Sequence, residues 1–144
     1  MEVLNDILGY KNRKIYQDNQ CFSFSLDSIM LANFATIRLR DKIICDLGCG
    51  NGVIPLILSL RTNKKIYGVE IQEKLANMAR RSIEINNLCD QVCIINENMK
   101  DFVNSDFFES FDLISVSVFD FDEFLLEKLK RLVICFLMPV INFC

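Results

Sequence analysis

The run Asp-Leu-Gly-Cys-Gly-Asn-Gly at residues 46–52 constrains the fold more than any other feature of the chain. The apolar residues 43–45 precede it, as expected of a buried strand, and a second strand-like segment, 66–70, ends in Glu70. Glycine lets the backbone adopt positive φ and approach a ligand closely. An acidic residue about 20 positions past such a loop is where a doubly wound fold binds ribose hydroxyls. The pattern therefore predicts an α/β fold that binds an adenosine-containing cofactor.

The spacing of the loop indicates which kind of cofactor binds. Dinucleotide-binding loops read G-x-G-x-x-G and seat a pyrophosphate on the following helix. Here Gly48, Gly50 and Gly52 alternate as G-x-G-x-G, and Asp46 lies just before them. A carboxylate at that point repels a pyrophosphate and attracts a ligand with ammonium and sulfonium charges. The spacing favours such a cationic cofactor, and a nicotinamide-dependent oxidoreductase stays as an alternative.

Length and charge limit the range of functions. A chain of 144 residues is long enough for one domain with a sizeable core. Its net charge of −3 argues against a generally basic nucleic-acid binder. Lys11, Arg13 and Lys14 nevertheless form a local basic patch, which is either a solvated surface or an RNA contact. The apolar run at 132–138 is too short to span a membrane, which needs about 20 residues, so no membrane contact is expected.

Cysteine and histidine content bounds the chemistry further. The chain has seven cysteines, no histidine and no recognisable secretory signal. We therefore expect free thiols in a reducing cytoplasm. The lack of histidine excludes His-containing metal sites and Ser-His-Asp triads, and the cysteine spacings do not favour zinc. No metal is expected.

Strand and helix patterns alternate along the chain, which predicts the fold class. Strands are expected at 42–47, 66–70, 92–96 and 111–118, and helices from Gly52 and over 72–87, with a short polar helix or loop after 96. Residues 1–24 are predicted to form a short helix and an extended arm. A helix from Ser25 to about Arg40 follows, with an apolar face of Ile29, Met30, Leu31, Phe34 and Ile37. A further helix at 123–132 and a buried strand at 132–138 are expected. This order predicts a Rossmann-like, three-layer α/β/α fold around a mostly parallel sheet.

The chain divides into three parts on this interpretation. Residues 1–40 form an arm and helix before the sheet, residues 41–118 the cofactor-binding core, and residues 119–144 a divergent or truncated tail. The sheet is expected to be incomplete on its C-terminal side. An uncovered edge strand and apolar surface would favour self-association.

The glycine loop closely resembles the first motif of the class I S-adenosylmethionine-dependent methyltransferases. A more specific likeness is to the bacterial tRNA adenine-N6 methyltransferases that act on valine tRNA, and to their small-domain methyltransferase relatives. It lies in residues 4–9, 11–17, 22–28, 46–52, 69–70 and 94–98. The resemblance implies a cytoplasmic enzyme that uses S-adenosylmethionine to methylate N6 of an adenine beside the anticodon of tRNA.

The resemblance also implies roles for individual residues. Asp46, Gly48, Gly50 and Gly52 would surround the amino-acid end of the cofactor. Glu70 would bind the ribose hydroxyls, unless it is only a surface acid at a strand end. Asn98 would contact the adenine amino group, unless it is a plain turn residue. Three residues before or within the first helix would close over the cofactor, Phe24, Ser25 and Asp27, although Asp27 is alternatively a helix cap.

One part of the resemblance fails. The amino-methylating members carry Asn-Pro-Pro-Tyr after the fourth strand, where the amide and a carbonyl accept hydrogen bonds from the target amine and the ring stacks on the flipped base. Here the corresponding residues are Ser117, Val118, Phe119 and Asp120, and the catalytic residues stay unassigned. Either a change of reading frame or truncation occurred near Ile114, which we favour, or the chain is a diverged member. An inactive cofactor-binding remnant or interaction module is therefore a further alternative.

Overall fold

A computed structural model describes residues 1–18, 26–116 and, for the backbone, 133–136. Its strands are β1 Glu2–Ile7, β2 Tyr10–Asp18, β3 Ile43–Leu47, β4 Lys65–Glu70, β5 Val92–Asn96, β6 Leu113–Val116 and β7 Val133–Phe136. Its helices are α1 Leu26–Phe34, α2 Val53–Leu58, α3 Glu73–Ile85 and α4 Met99–Phe102, with a 3-10 turn at Phe108–Ser110. The alternation of strands and helices confirms the predicted α/β class.

Five of the described strands form a parallel sheet in the order β5-β4-β3-β6-β7. The chain moves outward from β3 through β4 to β5 and then returns to the other side of β3 with β6. Loops that leave neighbouring strands in opposite directions open a crevice at the carboxyl ends of those strands. The glycine loop follows β3 and therefore lies at this switch point.

Two apolar clusters cover the two faces of the sheet. On one face, helices α1 to α3 and the N-terminal strands bury mainly aliphatic side chains: Ile7, Ile15, Leu31, Ile44, Ile54, Leu56, Ile57, Ile66 and Ile83 are among them. On the other face, α4 and the 3-10 turn bury an aromatic group with Phe102, Phe108 and Phe111 at its centre. Ile44 belongs to the first cluster and its neighbour Cys45 to the second, as the two-residue period of a strand requires.

The N-terminal segment differs from the prediction. No helix occurs in residues 1–18, which form an antiparallel hairpin of β1 and β2. Gly9 adopts a positive φ of 82° between the strands, a turn conformation that glycine adopts easily. Val3, Ile7 and Ile15 are β-branched and therefore suit strands better than a helix. The extended part of the prediction is confirmed and its short helix is wrong for residues 1–18, whereas residues 19–24 lie outside the described residues.

The first helix ends earlier than predicted. It stops at Phe34, and Arg38 and Arg40 lie beyond it rather than in its last turn. Asp41 accepts a hydrogen bond from the Arg38 amide at 2.7 Å, and Lys64 donates to the Arg38 carbonyl at 2.9 Å. These contacts hold the segment in a non-helical path. Met30 and Phe34 were predicted on the buried face but are 43% and 72% exposed.

The other boundaries agree with the sequence to within one or two residues where they can be compared. Strand β5 matches its prediction, and the predicted amphipathic helix at 72–87 is α3. The last two residues of the predicted strand 111–118, the helix at 123–132 and the tail after 136 lie outside the described residues. Within the described residues, no helix has the length and apolar character needed to cross a membrane.

Candidate cofactor-binding site

The glycine loop turns sharply at the carboxyl end of β3. Gly48, Gly50 and Gly52 have φ of 74°, 56° and 89°, a region that residues with a Cβ rarely adopt. The amides of Gly48 and Cys49 both donate to the carbonyl of Val69, at 2.8 and 3.0 Å. The loop is thus bound to the neighbouring strand β4. The backbone conformation alone therefore favours glycine at these three positions, whether or not a ligand approaches the loop.

The second and third of these glycines differ in the space around them. A Cβ added at Gly50 would meet no atom of the described residues within 4 Å, whereas one at Gly52 would lie 3.2 Å from the Cβ of Ala79. Gly52 therefore allows α2 and α3 to approach each other closely. The space beside Gly50 is open and can admit a ligand.

Glu70 ends β4 beside this loop and is buried. Its Oε2 accepts a hydrogen bond from the Gly50 amide at 2.9 Å, and its Oε1 accepts one from the Gln72 amide, also at 2.9 Å. Asn96, at the end of β5, donates to the Glu70 carbonyl at 2.7 Å. Glu70 is therefore a structural part of the site and not a solvated acid at a strand end. Each carboxylate oxygen still has acceptor capacity for a ligand hydroxyl.

Asp46 is fully buried in the middle of the sheet. Its Oδ1 accepts a hydrogen bond of 2.7 Å from the Ser115 hydroxyl. Within the described residues, Oδ2 has no hydrogen-bond partner. Burial raises the pKa of Asp46 to about 7, the Ser115 hydrogen bond opposes that rise, and the nearby charge of Glu70 adds to it. An unsatisfied buried carboxylate oxygen is costly and suits a cationic donor.

Asn98 lies at the start of α4, beyond the end of β5. Its Oδ1 accepts a hydrogen bond of 2.9 Å from the Lys100 amide, so the side chain caps the helix. The structure thus gives Asn98 the turn role that was one of its two predicted interpretations. A carbonyl oxygen has two lone pairs, and the second acceptor position is compatible with the other interpretation as well.

The remaining predicted residues fall into two groups. Asp27 is half-buried in the first turn of α1. Phe24, Ser25 and the four residues 117–120 lie outside the described residues.

Of the cysteines with described side chains, Cys45 and Cys49 adjoin the site, and burial raises the pKa of both thiols. The described residues contain no cluster of three or more potential metal ligands.

Two site residues were not predicted from the sequence. Asn51 is buried within the loop, and its Nδ2 donates to the Tyr16 carbonyl of the hairpin at 3.0 Å. Ser115 is the only polar residue of β6. A single polar residue inside a buried strand is a usable signal, because such strands otherwise read as continuous apolar runs. The partner of Ser115, however, follows only from the register that pairs Asp46 with Ser115.

Comparison with known proteins places this site in context. Arginine N-methyltransferase 1 of Schizosaccharomyces pombe is 34% identical over 62 residues, which are 43% of this chain and 18% of that protein. The tRNA1(Val) (adenine(37)-N6)-methyltransferase of Phocaeicola vulgatus is 23% identical over 105 residues, 73% of this chain and 44% of that protein. This chain therefore spans less than half the length of these relatives.

A similar fold occurs among solved structures. TrmK of M. capricolum, determined in complex with S-adenosyl-homocysteine, superposes with a TM-score of 0.59 at 22% identity. The superposition covers 75% of this chain and 46% of that protein. This likeness confirms the predicted Rossmann-like fold.

A family of proteins described as the methyltransferase domain matches residues 39–136. The match agrees with the glycine loop and confirms the predicted cofactor, S-adenosylmethionine, over a nicotinamide dinucleotide. Because it spans more than half of the chain, this protein belongs to the methyltransferase domain family.

Proposed function

We propose that this chain binds S-adenosylmethionine at the carboxyl end of β3 and β4 and transfers its methyl group to an adenine N6 of a tRNA. The observation that supports cofactor binding is the position of the glycine loop between two carboxylates, those of Asp46 and Glu70. Glu70 holds the Gly50 amide, and Asp46 keeps a buried oxygen without a partner in the described residues. The open space beside Gly50 supports a ligand that lies against the loop.

Each side chain has a distinct task on this proposal. Glu70 accepts hydrogen bonds from the ribose hydroxyls, because its carboxylate is fixed by two amides and retains acceptor capacity. Asp46 pairs with the ammonium group at the amino-acid end, which supplies the donor that Oδ2 lacks among the described residues. Asn98 accepts a hydrogen bond from the adenine amino group. When bound, S-adenosylmethionine supplies an electrophilic methyl group to an incoming nucleophile.

The acceptor is proposed from two observations. The alignment with the tRNA adenine-N6 methyltransferase covers 73% of this chain, whereas the alignment with the arginine methyltransferase covers 43%. In addition, Lys11 and Lys14 are exposed on β2, while Arg13 is half-buried and donates to Ser59. The two exposed lysines offer phosphate contacts on a chain that is otherwise acidic.

An inactive remnant is the second candidate, because the residues at the expected catalytic position, 117–120, do not match Asn-Pro-Pro-Tyr. Two observations favour divergence over a change of reading frame near Ile114. The family match continues to residue 136, and β7 pairs in parallel with β6 in the order expected of a doubly wound sheet. A remnant would keep the cofactor site and lose the transfer step.

The proposal is tested in two steps with the full chain. Calorimetric titration with S-adenosylhomocysteine measures the cofactor half. We expect binding by the wild type, strong loss of affinity in Glu70→Ala, and no change in Glu73→Ala, which alters an exposed carboxylate at the start of α3. A folded wild-type chain that does not bind would contradict the proposal.

The second step measures methyl transfer. Unmodified tRNA is incubated with the chain and radiolabelled S-adenosylmethionine, then digested to nucleosides. Labelled N6-methyladenosine is the expected product. Label in another nucleoside or in protein would show that the acceptor is not adenine N6 and would contradict this part of the proposal. Cofactor binding without any labelled product would favour the remnant.

A further inference from the structure

Ser115 is a buried hydroxyl in a strand that is otherwise apolar. Its neighbours on β6 are Leu113, Ile114 and Val116, all of them buried. A hydroxyl in such surroundings is destabilising unless it is hydrogen-bonded. The hydroxyl lies 2.7 Å from Asp46 Oδ1 and 3.4 Å from the Cys45 carbonyl. The shorter contact, to a carboxylate, is the stronger one.

The sheet register places the two side chains together. Asp46 on β3 pairs with Ser115 on β6 in parallel alignment. Residues two apart on a strand share a face, so Asp46 lies on the face of Ile44 and Ser115 on the face of Leu113. Both aliphatic residues belong to the same apolar cluster. The pair is thus a polar contact within an apolar layer, at the end of the strand from which the glycine loop departs.

We propose that Ser115 is a positioning residue for the cofactor: by holding Asp46 Oδ1, it fixes the carboxylate so that Oδ2 is the oxygen left for the ligand's ammonium group. The inference rests on the proposed function. A carboxylate in an apolar layer can rotate or take up a proton when nothing holds it. A hydroxyl donor favours the ionised form and one orientation. Ser115 thereby affects only the amino-acid end of the cofactor, since Asp46 is on that side of the loop and Glu70 holds the other.

The contact also sets the pH range over which the cofactor binds. The ammonium group pairs with ionised Asp46, so affinity falls as Asp46 takes up a proton. Among the described residues, the titratable groups around Asp46 are Glu70 on β4 and the thiols of Cys45 and Cys49. None of them replaces the donor that Ser115 provides. Loss of the hydroxyl is therefore expected to move the acid limb of the binding profile to higher pH.

The test compares two ligands across a pH series. S-adenosylhomocysteine carries the amino-acid end, whereas 5′-methylthioadenosine carries only the nucleoside half. In Ser115→Ala we expect about a tenfold loss of affinity for S-adenosylhomocysteine near pH 7, with the acid limb shifted upward. Affinity for 5′-methylthioadenosine is expected to be unchanged. Ser82→Ala removes a buried hydroxyl on α3 and is expected to keep the wild-type pH profile, although it lowers stability.

Two further measurements keep the inference falsifiable. Ser115→Cys keeps a donor at this position, although a larger and weaker one, so it is expected to shift the acid limb in the same direction by a smaller amount. The difference in urea unfolding between the wild type and Ser115→Ala, measured without ligand across the same pH series, is expected to show the higher Asp46 pKa of the variant. An unshifted acid limb in Ser115→Ala, or an equal loss for both ligands, overturns the role of Ser115. If the wild type binds neither ligand, the proposed function fails as well.

Discussion

Gly50 and Glu70 are joined by a hydrogen bond of 2.9 Å from the loop amide to the carboxylate Oε2, across the gap between β3 and β4. The same carboxylate accepts from the Gln72 amide, so one side chain fixes both the glycine loop and the start of α3. The loop is therefore held in place before any ligand arrives. Such preorganisation lowers the conformational cost of binding.

The first prediction concerns Glu70→Gln. Glutamine keeps one carbonyl oxygen, but its Nε2 cannot accept, so one of the two amide hydrogen bonds is lost. We expect the affinity for S-adenosylhomocysteine to fall about tenfold to a hundredfold and the free energy of unfolding to fall by about 1–3 kcal/mol. Calorimetry and urea unfolding measure these changes. Glu73→Gln alters an exposed carboxylate nearby and should change neither; equal effects in both variants would contradict the prediction.

The second prediction separates two glycines of the loop. Gly50→Ala places a Cβ in open space, so its cost in stability is the left-handed backbone alone, about 1 kcal/mol. Gly52→Ala adds a contact of 3.2 Å to Ala79 and should be the more destabilising of the two. We expect the opposite order for affinity, because the space beside Gly50 is where the ligand lies. Thermal unfolding measures the loss of stability in each variant, and calorimetry measures the loss of affinity. If Gly52→Ala shows the larger loss in both measurements, the ligand does not lie beside Gly50.

Local patterns were sufficient for the core of the fold and for much of the site. The strand at 92–96, the amphipathic α3 and the loop between Asp46 and Gly52 follow from residue order alone, because each depends on neighbours in sequence. Glu70 beside the loop follows from the usual length of a strand-helix-strand unit. These features needed no knowledge of distant contacts.

Other features depend on contacts between distant segments and were missed. The early end of α1 results from Lys64, which donates to the carbonyls of Arg38 and Leu39. The links from Asn51 to Tyr16 and from Ser115 to Asp46 depend on how the hairpin docks and how β6 aligns with β3. In each case the sequence identifies the polar residue, but it does not identify the residue to which that side chain forms a hydrogen bond.

The third prediction concerns the hairpin. Asn86 caps the end of α3 and binds both the amide and the carbonyl of Lys14, at 3.0 and 2.6 Å. Asn86→Ala removes both hydrogen bonds, and we expect the free energy of unfolding to fall by about 1–2 kcal/mol. Hydrogen exchange should quicken in β2. Asn77→Ala, on the same helix and exposed, should leave that exchange unchanged; unaltered protection of β2 in both variants would count against docking through Asn86.

The last prediction uses the pKa of Asp46, which burial raises from 3.8 to about 7. In the unfolded chain Asp46 ionises near its ordinary value, whereas in the folded chain it keeps its proton up to about pH 7. Between these values the folded state binds more protons, so the free energy of unfolding falls as pH rises through this window and levels off above it. The fall is at most about 4 kcal/mol for a shift of this size.

Asp46→Asn removes this titration while keeping an oxygen that can accept from Ser115. Its stability relative to the wild type should therefore rise from pH 5 to pH 8, and its affinity for S-adenosylhomocysteine at pH 8 should be lower. Urea unfolding of both proteins at intervals across that range gives the difference directly, so that other titrating groups cancel. A difference that does not change with pH would mean that Asp46 is already ionised in the folded, ligand-free protein. In that case the carboxylate is charged before the ligand binds, and binding of the ammonium group should release no proton.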